Sequence, residues 1–402
     1  MTGMRLLFGI VLTSSLVNAA TFYKDVLPIL QSKCQCCHRP GEAAPMAFLT
    51  YEGTRPFAAA IREAVVTKKM PPWGANPAHG KFSNDPTLSE AEKKTLLAWV
   101  DAKAPAGNKK DAPVPRAFVE GWNIGQPDLV IAMPKAYDVP ASGTIEYTRF
   151  ILPLNFTEDR WVSAAEVRPG NRAVVHHVIA YLREPGGAWL KGAPIGEPII
   201  KVGKTDGGPR SSLVGYAPGV PARPATPGRA QKVKAGSDVI LEVHYTTNGK
   251  PASDLTKVGI IFAKEPPVEI MGGFAAGDNK FAIPPGADSH EVKSKWTTTR
   301  EVKLTVLTPH MHLRGKDFLY TAKYPTGESE VLLHVPKYDF NWQHTYVLAQ
   351  PKLLPAGTVI ECVAHFDNSP NNKFNPDPSA TVKWGDQSWE EMMIGFGGYI
   401  TN

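Results

Sequence analysis

Two groups of residues in this chain have the types and spacing for redox chemistry. The first is Cys34-Gln35-Cys36-Cys37-His38, which reads C-x-x-C-H when Cys34 and Cys37 are taken as the pair. Two thiols about one helical turn apart can each add to a haem vinyl group, and the histidine that follows then sits under the iron as an axial ligand. A zinc or dithiol reading competes, but structural zinc takes four ligands, and no second close Cys/His pair follows. The second group is a series of histidines inside strand-like runs: His176-His177 in AVVHHVIAYL, His244 in VILEVHY, and His310 and His312 in LTPHMHLRGK. Residues i and i+2 of a strand share a face, so His310 and His312 can clip one metal ion. His176 and His177 point to opposite faces of a regular strand; they can share an ion only at a strand edge or on a distorted backbone. Imidazole suits copper, zinc, iron and nickel.

The elements around the first motif are helical. Val26, Leu27, Ile29 and Leu30 form an apolar stripe before it, with Pro28 tolerated near the helix start. Ser89-Glu90-Ala91-Glu92 is a capping box opening a helix that carries Leu96, Trp99 and Val100 on one face. Between the two lies Lys69-Met70-Pro71-Pro72-Trp73. This order resembles a small class I cytochrome c. The resemblance implies a covalent haem c on Cys34 and Cys37, with His38 as one axial ligand and Met70 as the other; Met46 competes with Met70. A thioether ligand would raise the haem potential. Cys36 is a bystander thiol in this reading. Residues 104–116 (APAGNKKDAPVPR) have no apolar periodicity and read as a linker.

From residue 121 onward, short alternating or apolar runs are separated by Gly/Pro turns, over 128–133, 148–154, 173–182, 238–245, 257–262, 301–307, 318–324, 359–365 and 392–399. That density predicts β-sandwich domains. Some 280 residues are too many for one small sandwich, so two in tandem fit better, with a junction near Lys264-Glu265-Pro266-Pro267. The predicted architecture is a leader (1–20), an all-α haem domain (21–104), a linker (105–120) and two all-β jelly-roll sandwiches (121–265 and 266–402).

HHV, VHY, HMHLRGK and the late Glu391-Met392, in that order, resemble the type II copper, ascorbate-dependent monooxygenases, which include peptidylglycine α-hydroxylating monooxygenase and dopamine β-monooxygenase. The resemblance implies two jelly rolls, each holding one copper ion, facing across a solvent-filled cleft. It assigns the electron-transferring copper to His176, His177 and His244, and the oxygen-activating copper to His310, His312 and Met392, with Met393 as the neighbouring competitor. The implied activity is hydroxylation of a substrate C–H bond by dioxygen, with electrons from the haem, ascorbate, another small reductant or a redox partner protein. Peptide-amidating members bind the substrate carboxylate through an Arg two positions before the HxH pair and through Asn and Tyr beyond the Met. Thr308, Ile394 and Phe396 stand at those positions here, so a neutral or apolar organic substrate is expected. Two other readings remain: a non-catalytic electron-transfer or copper-binding protein, and a haem-linked ligand-binding module.

Composition bounds these readings. Lys and Arg number 44 against 38 Asp and Glu, a net charge of +6 without a basic block, which argues against nucleic acid as a partner. Residues 1–5 carry one positive charge, 6–17 are mostly apolar, and Val17-Asn18-Ala19 presents small residues: the pattern of a secretory signal cleaved near Ala19 or Ala20. Export to the periplasm or the extracellular space is expected, with no integral membrane segment, since no later run reaches about 18 apolar residues. Three of the four cysteines lie within four positions, so a disulfide framework does not explain them, and Cys362 lacks a partner in its own region. His365 is expected either to support the Met392 copper or to pack. His334 and His344 flank an aromatic connection, 338–342. His79 and His290 are read as solvated turn residues.

Overall fold

The computed structural model describes residues 19–42, 44–200, 211–218, 220 and 222–402; the leader read over 1–20 lies almost wholly outside them. Strand outweighs helix among the described residues. No helix among these residues is long and apolar enough to cross a membrane. The chain forms two compact units: a helical one (up to Gln35, Met46–Pro71, Leu88–Arg116) and a β-rich one (Cys36–Pro45, Pro72–Thr87, Ala117–Asn402).

In the helical unit, a π-turn over Phe22–Val26 runs into the α-helix Leu27–Lys33, with Pro28 in its first turn, where its missing N–H costs nothing. Ser89 and Glu92 form the predicted capping box of the helix Glu90–Asp101. Val26, Leu30, Leu96 and Trp99 are buried together with Phe22 and Phe48. The linker expectation is overturned for residues up to Arg116. Pro105 O accepts from both Phe22 N and Trp99 Nε1 (3.0 Å each), Ala104 is buried in the helical core, and Arg116 donates to Gln31 O at 2.7 Å. The segment lacks periodicity because it binds through its carbonyls, which sequence patterning does not register.

The β-rich unit holds two large cores and a smaller third cluster. One large core is built from residues between Met133 and Ile260, the other from residues between Phe274 and Met393. They are not separate sheets, however. One eight-stranded sheet runs through both, in the order Leu129–Ala132, Lys257–Phe262, Arg160–Arg168, Arg229–Val233, Glu269–Asp278, Met393–Thr401, Val302–His310 and Tyr346–Leu354. A short parallel pairing, Glu269 with Arg229 and Ile270 with Ala230, joins its halves. A four-stranded sheet (Thr148–Pro153, Asp238–Tyr245, Val175–Arg183, Ser211–Tyr216) covers the first half, and another (His290–Thr297, Val359–Phe366, Gly315–Lys323, Ser329–Val335) covers the second. The result is two β-sandwiches.

The run VILEVHY is apolar at nearly every position because both of its faces are covered. Val239, Leu241 and Val243 enter the first core, while Ile240 packs with Ile151, Tyr181 and Trp189 on the other side. Residues 72–87, expected within the haem domain, belong to the β-rich unit. Phe82 bridges Leu348, Ser83 N donates to Val347 O (2.8 Å), and Asn84 bonds both Thr345 O and Val347 N. Trp73 packs on Phe82 and Tyr346. Tyr346–Leu354 ends the long sheet, and this segment covers its open edge.

Candidate metal centre

His177 pairs with His244 across neighbouring strands, while Val175 pairs with Tyr245; His176 is the extra residue of a β-bulge between them. A bulge re-aims a side chain that strict alternation would send to the opposite face. It supplies the distorted backbone that the adjacent pair required. The Nδ1 atom of His176 lies 3.0 Å from Nδ1 of His177 and 3.3 Å from Nδ1 of His244. The three residues form a group with metal-ligand spacing. Burial lowers the pKa of His176 to about 4 and of His244 to about 3, and holds His177 well below the ordinary histidine value. All three are therefore neutral near pH 7, the form that binds metal. Three neutral Nδ1 atoms turned on one another cannot all be satisfied by sharing protons, whereas one cation satisfies all three.

His310 closes the strand Val302–His310, and His312 follows it. Nδ1 of His310 lies 2.7 Å from Gln343 Oε1, and Nδ1 of His312 lies 3.3 Å from Glu390 O. Carbonyl oxygens only accept, so both rings carry their proton on Nδ1 and keep a lone pair on Nε2. Nε2 of His312 is buried without a hydrogen-bond partner. Its ring is held from the backbone as well. Glu391, fully buried, accepts from His312 N (2.8 Å) and Arg314 N (2.6 Å), and burial pushes its carboxyl pKa up to about 8 against the pull of those two N–H groups. Arg314, also buried, donates to Asn368 Oδ1 and Trp389 O.

His310 stands opposite Ile394 and Thr308 opposite Phe396, and Met392 immediately precedes the strand that begins at Met393. Met393 points into the second core, where Ser294 Oγ donates to its sulfur at 3.2 Å. The three-histidine set is all imidazole and fits copper, and a thioether from Met392 beside His310 and His312 would favour Cu(I).

The cleft implied between the two sets is not what this structure holds. His177 and His310 have ring centroids 6.3 Å apart. Tyr147 stacks on His244 (4.7 Å) and lies 6.1 Å from His312, while Phe340 stacks on His176 (5.1 Å) and lies 6.0 Å from His312. The five histidines form one cluster, four of them buried and His176 half-buried, with two aromatic rings between them. Sequence reasoning missed Tyr147, Gln343 and Phe340, none of which carries a motif. Phe340 was readable only as part of the aromatic connection 338–342.

The remaining histidines are accounted for elsewhere. Nδ1 of His365 meets Asp317 Oδ1 at 2.8 Å on the outer sheet of the second sandwich, so it supports no ligand of the cluster. His344 is buried among Trp73, Trp342 and Tyr346. His334 lies in the strand Ser329–Val335, with its ring near the half-buried His79. His290 opens a strand rather than sitting in a turn.

Of the haem-type residues, Cys34 caps the helix Leu27–Lys33, whereas Cys36, Cys37 and His38 belong to the β-rich unit. The Sγ atoms of Cys36 and Cys37 lie 3.7 Å apart, and none of the four cysteines forms a disulfide. Two thiols and an imidazole in this spacing are the donor chemistry that covalent haem requires. Met46 packs against the helical core, and Met70 donates its N–H to Ala64 O at the end of the helix Ala58–Val66. Cys362 is fully buried in the second core, where burial raises its thiol pKa.

No protein-family model matches this sequence, and no curated protein matches it. Among solved structures, the chain is similar to the infectious bursal disease virus Gx strain structure (8% identity, TM-score 0.20, covering 68% of this chain and 72% of that one). It is also similar to PBCV-1 VP54 fitted into the virophage Sputnik (7% identity, TM-score 0.22, 71% and 95%). Likenesses at these scores identify neither a family nor a function.

Proposed function

We propose that this protein is an exported, haem-fused copper monooxygenase that hydroxylates a C–H bond of a neutral or apolar organic substrate with dioxygen. The observation that carries the reading is the five-histidine cluster. The Nδ1 atoms of His177 and His244 lie 3.0 and 3.3 Å from that of His176, beside an HxH pair whose tautomers leave both Nε2 atoms open. His176, His177 and His244 would hold one copper ion and His310, His312 and Met392 the other. Bound copper would supply one-electron redox chemistry toward dioxygen, and Cys34, Cys37 and His38 would hold a haem that relays electrons from an external reductant. The chain's own residues do the rest. Gln343 and Glu390 O keep the proton of each HxH ring on Nδ1, so that neither Nε2 is blocked. Glu391 fixes the backbone of His312 and thereby the direction of its ring. Phe340 and Phe396 line the histidines with apolar surface, which excludes water and favours an apolar ligand. Thr308, which stands where a carboxylate-binding Arg would, spends its hydroxyl on Thr345 Oγ1 (3.0 Å). Arg314, a buried cation near the cluster, is committed to Asn368 and Trp389 O, and the Nη2 of Arg149 pairs with Glu242 and Asp386.

The test is metal content of the exported, haem-matured protein, followed by product analysis under dioxygen. Two copper ions and one iron per chain are expected, with Met392→Ala abolishing hydroxylation. His38→Ala should stop turnover driven through the haem while sparing turnover with a chemical reductant. Iron without copper after copper loading refutes the reading. Hydroxylation unchanged in Met392→Ala refutes the assignment of the oxygen site.

A further inference from the structure

The turn that follows the C-x-x-C-H donors is tied to the first sandwich through one carboxylate. Arg39 Nη1 donates to Cys36 O at 2.9 Å, and its Nη2 pairs with Glu42 Oε1 at 2.8 Å. The other oxygen of Glu42, Oε2, pairs with Arg172 Nη1. Each guanidinium also lies over an aromatic ring: Arg39 is 4.1 Å from the ring centre of Phe118, and Arg172 is 5.6 Å from that of Tyr216. The three charged side chains are only 17–18% exposed, so salt screens this contact less than it screens a surface pair.

Arg172 stands four residues before His176, in the turn that opens its strand. Val174 N and Val175 N donate to Asn171 O (3.3 and 3.2 Å), and Asn171 N donates to Asp254 Oδ1 at 2.9 Å. The other oxygen of Asp254 accepts from the Tyr245 hydroxyl at 3.0 Å, and Tyr245 directly follows His244. Tyr216 pairs across strands with Val178, the residue after His177. Burial raises the Tyr216 phenol pKa to about 12, and Arg172, Glu42 and Cys37 all act on that ring electrostatically. Glu42 thus connects the turn that carries the haem-type donors to both strands that carry the three-histidine set.

We infer that Glu42 is a positioning residue that latches the haem-bearing turn to the first sandwich, so that the copper at His176, His177 and His244 is the entry point for electrons from the haem. This inference rests on the haem and copper reading above. One electron leaves ferrous haem, which becomes ferric, and converts Cu(II) at the three-histidine set to Cu(I); the external reductant restores the haem. Glu42 provides no donor to either metal. Removing its charge leaves Arg39 and Arg172 as two like charges without the carboxylate that bridges them, and releases the turn from the strand.

The test uses the full haem-matured chain loaded with copper. A flash-generated organic radical reduces the haem, and its re-oxidation by Cu(II) is followed in the visible spectrum, alongside iron and copper analysis and amide hydrogen exchange over residues 36–45. The wild type should show a re-oxidation phase independent of protein concentration. His244→Ala should abolish that phase, and His312→Ala should preserve it. Glu42→Gln should slow it by about tenfold or more, the order expected when reacting groups are misplaced, at unchanged iron and copper content, and should speed exchange across residues 36–45. Arg172→Gln should do the same, and the double variant no more than either, because each removes the same contact. Arg172→Gln also serves if Glu42→Gln does not fold. An unchanged phase with unchanged exchange in both single variants overturns the latch. So does a phase that is lost in His312→Ala and kept in His244→Ala. A wild type with its full iron and copper but no such phase overturns the latch and leaves the metal assignments standing. Iron or copper missing from the wild type overturns the reading beneath it, and the latch with it.

Discussion

Gly395 sits in the strand that faces His310, with Ala276 opposite on one side and Pro309 on the other. A β-carbon added there would fall well inside van der Waals contact with Cys362 Sγ and lie 3.0 Å from the Tyr320 ring. Both neighbours are fully buried, and the strand is paired along both edges, so the backbone has little room to move. The Tyr320 ring can retreat only by losing its hydrogen bond to Phe396 O (3.1 Å), worth about 1 kcal/mol. Gly395→Ala should therefore cost about 1–3 kcal/mol, the usual range for overpacking a filled core. Cys362→Ala removes the atom that the new methyl group meets. In the double variant, the methyl group added at position 395 occupies the volume the sulfur has left, and most of the Gly395→Ala penalty disappears. Urea unfolding of the four proteins at constant m measures this directly. The two substitutions should couple by about 1–2 kcal/mol, within the range for residues in contact. Additivity within about 0.5 kcal/mol would refute the argument that the Cys362 sulfur sets the size limit at position 395.

Three further outcomes are expected. Gln343→Leu removes the acceptor that fixes the tautomer of His310, and copper affinity at the HxH site should fall by about 10–100-fold in a competition titration, the usual effect of losing such a partner. His344 has its pKa lowered by burial from 6.5 to about 4, so its contribution to stability is complete above pH 6.5 and is lost as pH falls toward 4. His344→Phe should remove about 3 kcal/mol of the wild type's acid sensitivity across that window, compared by urea midpoints at the two ends; identical pH slopes in the two proteins would contradict the burial argument. Asn84→Ala breaks two bonds to the strand Tyr346–Leu354 and the residue before it, each worth about 0.5–1.5 kcal/mol, and should speed proteolysis within residues 72–87 before global unfolding.

Much of the β architecture was legible because strand composition and turn residues are local. The runs 238–245 and 257–262 match the observed strands end to end, and the other seven fall within a few residues of theirs. The strand Glu269–Asp278 went unread because EIMGGFAAGD is too poor in large side chains to show a pattern; its Phe274 ring packs where Gly397 of the neighbouring strand has no side chain. The 72–87 edge segment and the 104–116 wrap were missed for a shared reason. Both are held by hydrogen bonds to distant backbone partners, and those leave no trace in residue type.

The sequence by itself determined which side chains could bind metal. It supplied histidines at i and i+2 after one strand, a histidine pair and a lone histidine in two others, a methionine near the end, and the C-x-x-C-H donors. Only the tertiary structure decided how the histidines combine. A bulge at His176 turned an adjacent pair that alternation would have split into two ligands on one face. Packing placed Met393 in the second core, with its sulfur accepting from Ser294 Oγ. Carbonyl partners from distant loops chose the tautomers of His310 and His312. The two sets meet through Tyr147, Phe340 and residues 386–391, which come from three separate stretches of chain. Residue type sets what a side chain can donate, whereas direction, protonation and proximity depend on backbone geometry and on partners far away in sequence.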